Sequence, residues 1–235
     1  MASLVGLAAL AVSACSNDGA SETGVAATEP ADGGATAPPK TSAPDAGEHD
    51  DAEPKTCMDA KPFDATKVAY RPPAVKAGSC TTADIATFDD YLRDHPQASV
   101  EELTSAMTKQ SKSCSACIFG KSDDASWAAI VSDGTSASLN AGGCVSVVSG
   151  EDDCGRAYQQ WNTCINHVCA ACSGDERTQC NKDAQQAAGP CGTASKALFG
   201  ACGTNVNDYI QECFGAGMGT VVAKLCGPAA KDGGS

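Results

Sequence analysis

Apolar side chains are spread unevenly along the 235 residues. Residues 4–14, LVGLAALAVSA, are apolar or small without a break, whereas residues 16–56 hold no aromatic residue, no Leu, Ile, Met or Cys, and one Val. From Cys57 onward apolar positions recur at threes and fours, the period of an amphipathic helix. Ile85, Phe88 and Leu92 stripe one helix that His95-Pro96 terminates, because the residue before a proline is pushed out of helical geometry. A second helix is predicted over 99–112, where Ser99 and Glu102 form a capping box and Val100, Leu103 and Met107 face inward. Residues 123–132, around Trp127, Ile130 and Val131, read as a third. The clearest stripe lies in DCGRAYQQWNTCINHVCAAC, residues 153–172, on Cys154, Ala157, Tyr158, Trp161, Cys164, Ile165, Val168, Cys169 and Cys172. Asp153 is its expected N-cap, and Ser173-Gly174 is expected to end it.

Beyond that helix the cysteines keep a constant step. Cys169, Cys180, Cys191, Cys202 and Cys213 are each eleven residues apart, and Cys226 follows. Eleven residues make about three helical turns, so a single long helix would align them on one face. Gly189-Pro190, Gly200, Gly203, Gly215, Gly217 and Gly219 rule out such a helix. Short helices with sulfur near their ends, each stapled to a neighbour, are expected instead. Strand alternation is scarce. The predicted fold class is all-α: a disulfide-stapled bundle of short helices, preceded by a disordered tether.

Composition sharpens this picture. Residues 16–56 carry nine carboxylates against two lysines, −7 of the net charge of −13. So polar a segment cannot bury enough apolar surface to offset its chain entropy, and 15–56 is read as a flexible acidic linker. The remaining −6 is thinly spread, with no basic cluster to neutralise phosphates, which argues against nucleic-acid binding. All eleven aromatic residues lie between Phe63 and Phe214. Fourteen of the fifteen cysteines lie between Cys57 and Cys226. They are Cys57, Cys80, Cys114, Cys117, Cys144, Cys154, Cys164, Cys169, Cys172, Cys180, Cys191, Cys202, Cys213 and Cys226, all read as disulfide-forming with connectivity open. One cysteine-rich helical domain, 57–227, and a disordered tail, 228–235, complete the division.

Cysteine at this density makes a disulfide framework only outside the cytosol. An eleven-residue apolar stretch is too short to span a bilayer but suits the h-region of a secretory signal. It ends on Val12-Ser13-Ala14-Cys15, which resembles the lipobox of bacterial lipoproteins: an aliphatic residue, two small ones, then Cys. The resemblance covers about the first fifteen residues. It implies that residues 1–14 are a signal peptide, that the Cys15 thiol is alkylated by diacylglycerol, and that the chain is cut before Cys15. MAS lacks the Lys or Arg expected of an n-region, so the translation start is expected upstream of Met1. By analogy with enteric bacteria, Ser16 after the cysteine favours the outer membrane. Two or three acyl chains, at about 0.8 kcal/mol per buried methylene, anchor a protein durably. The tether gives the domain a reach of about 35 Å from the bilayer. Segments SCSACIFG, GGCVSVV and DCGRAYQQWNTCINHVCAAC are also similar to cysteine-rich lipoproteins of myxobacterial type, over residues 110–215. That group brings an address and a fold, and no activity.

Candidate chemistry is sparse. Cys114-Ser-Ala-Cys117 and Cys169-Ala-Ala-Cys172 are CxxC motifs, but Cys169 falls at the C-terminal end of its helix, where the dipole disfavours a thiolate. As a zinc ribbon the two are too far apart, 51 residues. A c-type haem would need His where Ile118 and Ser173 stand. His49 sits in the linker beside Asp50 and Asp51, His95 at a helix end, and His167 off the apolar face. Asp89-Asp90, Asp123-Asp124 and Asp152-Asp153 fit helix starts and solvated faces better than an acid–base dyad. FGAGMG, residues 214–219, lacks the Lys-Ser/Thr of a phosphate loop and reads as a helix–helix turn. No nucleophile–base arrangement can be assembled, and neither a catalytic residue nor a cofactor is expected. The sequence thus predicts a non-enzymatic envelope lipoprotein with a binding or structural role, its partner an envelope protein or polysaccharide. The alternatives are an envelope thiol–disulfide oxidoreductase using a CxxC pair and a sulfur-rich metal-binding module.

Overall fold

The computed structural model describes residues 57–229. Cys15, the acidic linker with His49, and the tail beyond residue 229 therefore lie outside the described residues. Within them are nine α-helices and one small sheet, so the all-α class holds with a minor β addition.

Helix α1 (Thr82–Asp94) starts at a capping box between Thr81 and Asp84, buries Phe88 and stops at His95 before Pro96. Helix α2 (Val100–Gln110) has the predicted box: the Ser99 side chain accepts the Glu102 N–H and the Glu102 carboxylate accepts the Ser99 N–H. Leu103 and Met107 are buried, and Val100 is half-buried. Ser111 closes α2 and caps α3 (Lys112–Ile118).

The helix expected over 123–132 is not formed. Three short strands occupy this part of the chain: β1 (Phe119–Lys121), β2 (Ile130–Ser132) and β3 (Ala137–Leu139). β1 pairs parallel with β2, and β2 antiparallel with β3. Tertiary pairing decides the matter. The Trp127 N–H donates to Pro72 O at 3.0 Å, and Trp127 O accepts from Ala74 N–H at 2.7 Å and from the Asn140 side chain at 3.1 Å. A helix would claim those same groups internally. Ile130-Val131, β-branched, suits a strand.

Helix α4 (Ala141–Ser149) is the innermost, with Gly142, Gly143, Cys144, Val145 and Ser146 all buried. It packs on α5 (Asp152–Val168) at a glycine contact. A Cβ at Gly142 would stand 2.6 Å from Gly155 O, and one at Gly155 would collide with Gly142 O. Gly150, at φ 74°, makes the left-handed turn between the two helices.

Helix α5 carries the predicted apolar face but begins at Asp152, with Glu151 rather than Asp153 at the N-cap position, and ends at Val168. Cys169–Cys172 form a turn, and Ser173-Gly174 open α6 (Gly174–Ala184) rather than end α5. Arg177 holds this corner, donating to Cys169 O at 2.6 Å and to Asn166 Oδ1 at 2.8 Å. The short helices expected beyond follow as α7 (Gly192–Cys202), α8 (Val206–Phe214) and α9 (Met218–Cys226). FGAGMG is indeed the turn between α8 and α9, with Gly217 at φ 100°.

The main core joins α1–α5 with α7–α9 around Phe88, Met107, Ile118, Val145 and Leu225. A second core lies at the far end of α5 and is mostly sulfur: Cys164, Cys169, Cys172, Cys180 and Cys191 with Ile165, Val168 and Ala184. Trp161 packs against both. Helix α6 buries only Cys180 and Ala184, so apolar burial alone supplies little to hold it. The irregular entry segment is tied on by backbone hydrogen bonds: Asp59 N–H to Val168 O, Lys76 N–H to Leu225 O and Cys80 N–H to Cys226 O, each 2.8 Å.

Candidate functional site

All fourteen cysteines of the described residues are paired: Cys57–Cys172, Cys80–Cys114, Cys117–Cys226, Cys144–Cys213, Cys154–Cys202, Cys164–Cys191 and Cys169–Cys180. Their Cα–Cα distances run from 4.4 to 6.0 Å, inside the range a disulfide allows.

Five of these pairs are nested. Cys117–Cys226 encloses Cys144–Cys213, which encloses Cys154–Cys202, then Cys164–Cys191, then Cys169–Cys180. In structural terms α3 is stapled to α9, α4 to α8, α5 to α7 twice, and the end of α5 to α6. From Cys180 to Cys213 the eleven-residue step is the descending arm of this ladder, and Cys169 ends the ascending arm. Successive cysteines on α5 and α7 meet because both helices present sulfur at nearly equal intervals and run past each other in opposite senses. Sequence spacing exposed that step but not the partner arm, whose intervals are irregular.

The pairing takes both CxxC motifs apart. Cys114 joins Cys80 while Cys117 joins Cys226; Cys169 joins Cys180 while Cys172 joins Cys57. These four motif sulfurs are buried, Cys172 the most accessible of them at 8 %. A sulfur held in a buried disulfide presents no thiolate for attack or for metal binding.

The other candidate groups are dispersed and structurally engaged. His95 is exposed, its ring 4.5 Å from that of Tyr91, and exposed His167 lies 5.2 Å from Phe63. Asp89 faces the start of α9 and accepts the Gly219 N–H; a Cβ at Gly219 would collide with its carboxylate. Burial raises the Asp89 carboxyl above its ordinary value, partly offset by that amide. Its neighbour Asp90 pairs with Arg93 at 2.8 Å. Asp124 accepts the Lys121 N–H at 2.8 Å. Among the described residues no three His, Cys, Asp or Glu side chains converge as a metal site would require.

Two polar clusters escaped sequence reasoning. In the first, Asp152 Oδ1 accepts from Ser146 Oγ at 2.6 Å and from the Tyr70 hydroxyl at 3.4 Å, with Arg156 over the Tyr70 ring. It joins the entry segment to the α4–α5 corner, and burial raises the Tyr70 hydroxyl. In the second, Asp133 accepts the Ser136 and Thr135 N–H groups at 2.7 and 2.8 Å as well as both hydroxyls. Those hydrogen bonds hold its carboxyl well below the usual range and shape the β2–β3 turn. Asp133-Gly134 was a legible turn signal; the Tyr70 cluster joins residues too far apart to suggest one another. An open groove of 660 Å³ between α1 and α2 is lined by Tyr91, Glu101, Glu102, Ser105, Ala106 and Lys109, with Glu102 committed to the α2 cap. The sulfur ladder is the feature with the most chemistry, and that chemistry is structural. Comparison with protein-family models, with curated proteins and with solved structures finds no match.

Proposed function

We propose that the chain is a lipoprotein of the bacterial cell envelope. It is anchored at the outer membrane through acyl chains on Cys15 and displays a rigid, disulfide-stapled helical domain for a binding or structural task. One observation carries this reading. The fourteen cysteines of residues 57–226 satisfy one another completely, which fits a chain that matures in an oxidising compartment. The seven disulfides use an even set of fourteen cysteines, and the sequence holds a fifteenth, Cys15, at the end of the lipobox. Separation of both CxxC motifs into different disulfides favours a scaffold over a thiol–disulfide enzyme.

The test is Cys15→Ser in the producing cell, with the acyl mass and mature N-terminus read by mass spectrometry. The wild-type chain is expected to begin at Cys15, to carry acyl mass and to fractionate with membranes; the variant is expected to lose all three properties. A mature N-terminus elsewhere, or no acyl mass, overturns the anchor. Crosslinking of the displayed domain in intact envelopes identifies what it binds.

A further inference from the structure

The nested connectivity has a consequence for how the domain is made. In chain order only one of the seven disulfides, Cys80–Cys114, joins neighbouring cysteines; the other six each span at least one more. In the unfolded chain, closure of a loop falls off roughly as the 3/2 power of its length. Cys202 has its native partner 48 residues away but has Cys191 and Cys213 at eleven, a bias of about ninefold toward each wrong partner. For Cys226 the native span is 109 residues against thirteen to Cys213, a bias on the order of twentyfold. One of these wrong pairs, Cys191–Cys202, is also incompatible with the fold. Helix α7 holds Cys191 and Cys202 at its two ends, about 16 Å apart along the axis, well beyond disulfide reach.

We infer that the native set is reached by isomerisation, and that the folding chain is a substrate of a thiol–disulfide isomerase. Forming seven disulfides releases fourteen electrons and fourteen protons to a disulfide-bearing oxidant, and the first pairs made are short-range. The catalyst's thiolate then attacks, for example, Cys202 Sγ of a Cys202–Cys213 pair. That S–S bond breaks, the Cys213 thiolate leaves, and a mixed disulfide forms at Cys202. Attack on this mixed disulfide by the Cys154 thiolate makes Cys154–Cys202 and returns the catalyst, with no net oxidation. Once Cys169–Cys180 and Cys164–Cys191 are in place, each further rung closes a much shorter effective loop, so reshuffling converges on the ladder. Thirteen of the fourteen cysteines are buried in the finished fold, Cys57 being half-buried, so exchange acts before folding is complete.

The full chain, reduced and unfolded in guanidinium, is diluted into buffer with diamide, which oxidises thiol pairs without leaving a thiol behind. Samples are quenched by alkylation over time and mapped by peptide mass spectrometry. Early samples are expected to hold short-range pairs such as Cys114–Cys117, Cys169–Cys172 and Cys202–Cys213 several-fold above the four longer nested rungs, Cys164–Cys191, Cys154–Cys202, Cys144–Cys213 and Cys117–Cys226. Added reduced glutathione is then expected to convert them to the native set, and a purified isomerase to speed this at least tenfold. The four longer rungs appearing first, with diamide alone and without short-range non-native precursors, would overturn the inference. So would precursors that neither thiol nor isomerase can convert.

Discussion

Gly142 and Gly155 leave no room between α4 and α5, because the atom nearest an added Cβ at each is the other's backbone carbonyl rather than a side chain that could move aside. Gly155→Ala is expected to lose about 2–4 kcal/mol in chemical denaturation. Gly200→Ala is the control: Gly200 lies in α7 with nothing within 4 Å of the added methyl, and the change should be neutral or stabilising by up to about 1 kcal/mol. Equal effects would contradict the helix–helix contact. Carboxylates divide by sign. Asp133 and Glu102 have lowered values, so their contributions are present above the ordinary carboxylate range and fade as pH falls through it. Asp89 is raised, so its ionised form costs the folded state, and that cost appears as pH rises through its shifted value. Asp89→Asn keeps an oxygen for the Gly219 amide and removes the charge. It should raise Tm at neutral pH and leave it unchanged at about pH 3, near the ordinary Asp value; a lower Tm at neutral pH would refute this.

Among elements, amphipathicity made some parts legible. Helix α5 is wide-striped and α2 opens on its capping box, so both could be read to within a few residues. Helix α4 could not: with Gly142, Gly143, Val145 and Ser146 all buried it has no polar face, and periodicity needs two unlike faces. Residues 123–132 were misread because Trp127, Ile130 and Val131 fit a short helix as well as a strand, and the deciding partners, Pro72 and Ala74, lie far off in sequence. Short helices and a sulfur framework were foreseeable; the nested pairing, a purely tertiary property, was not. Asn140 links these regions, donating to Trp127 O at 3.1 Å and capping α4 through the Gly143 N–H at 2.9 Å. Asn140→Ala is expected to cost about 2–3 kcal/mol and to raise hydrogen exchange at both the β2–β3 hairpin and the first turn of α4. Exchange raised at only one of them would show the two to be uncoupled.

As a whole the domain replaces apolar mass with sulfur. Its second core is held by five cysteines, and α5 and α7 are stapled twice. Each staple typically contributes about 2–4 kcal/mol by restricting the unfolded chain. Cys164→Ala with Cys191→Ala should lower stability by that amount yet leave α7 docked through Cys154–Cys202; loss of α7 helicity in this variant would count against the double staple. The central claim is that the sulfur is structural, and reductant titration of the purified chain, following helicity with thiol-specific peptide mapping, tests it most directly. Because Cys114, Cys117, Cys169 and Cys172 belong to four different disulfides, both members of a CxxC motif can be freed only by opening two disulfides. At least four thiols are therefore predicted to be free by the time either motif is fully reduced, with helicity falling as the nested rungs open. An early two-thiol step that frees Cys114 with Cys117, or Cys169 with Cys172, while helicity stays unchanged, would contradict the ladder and point to a redox enzyme.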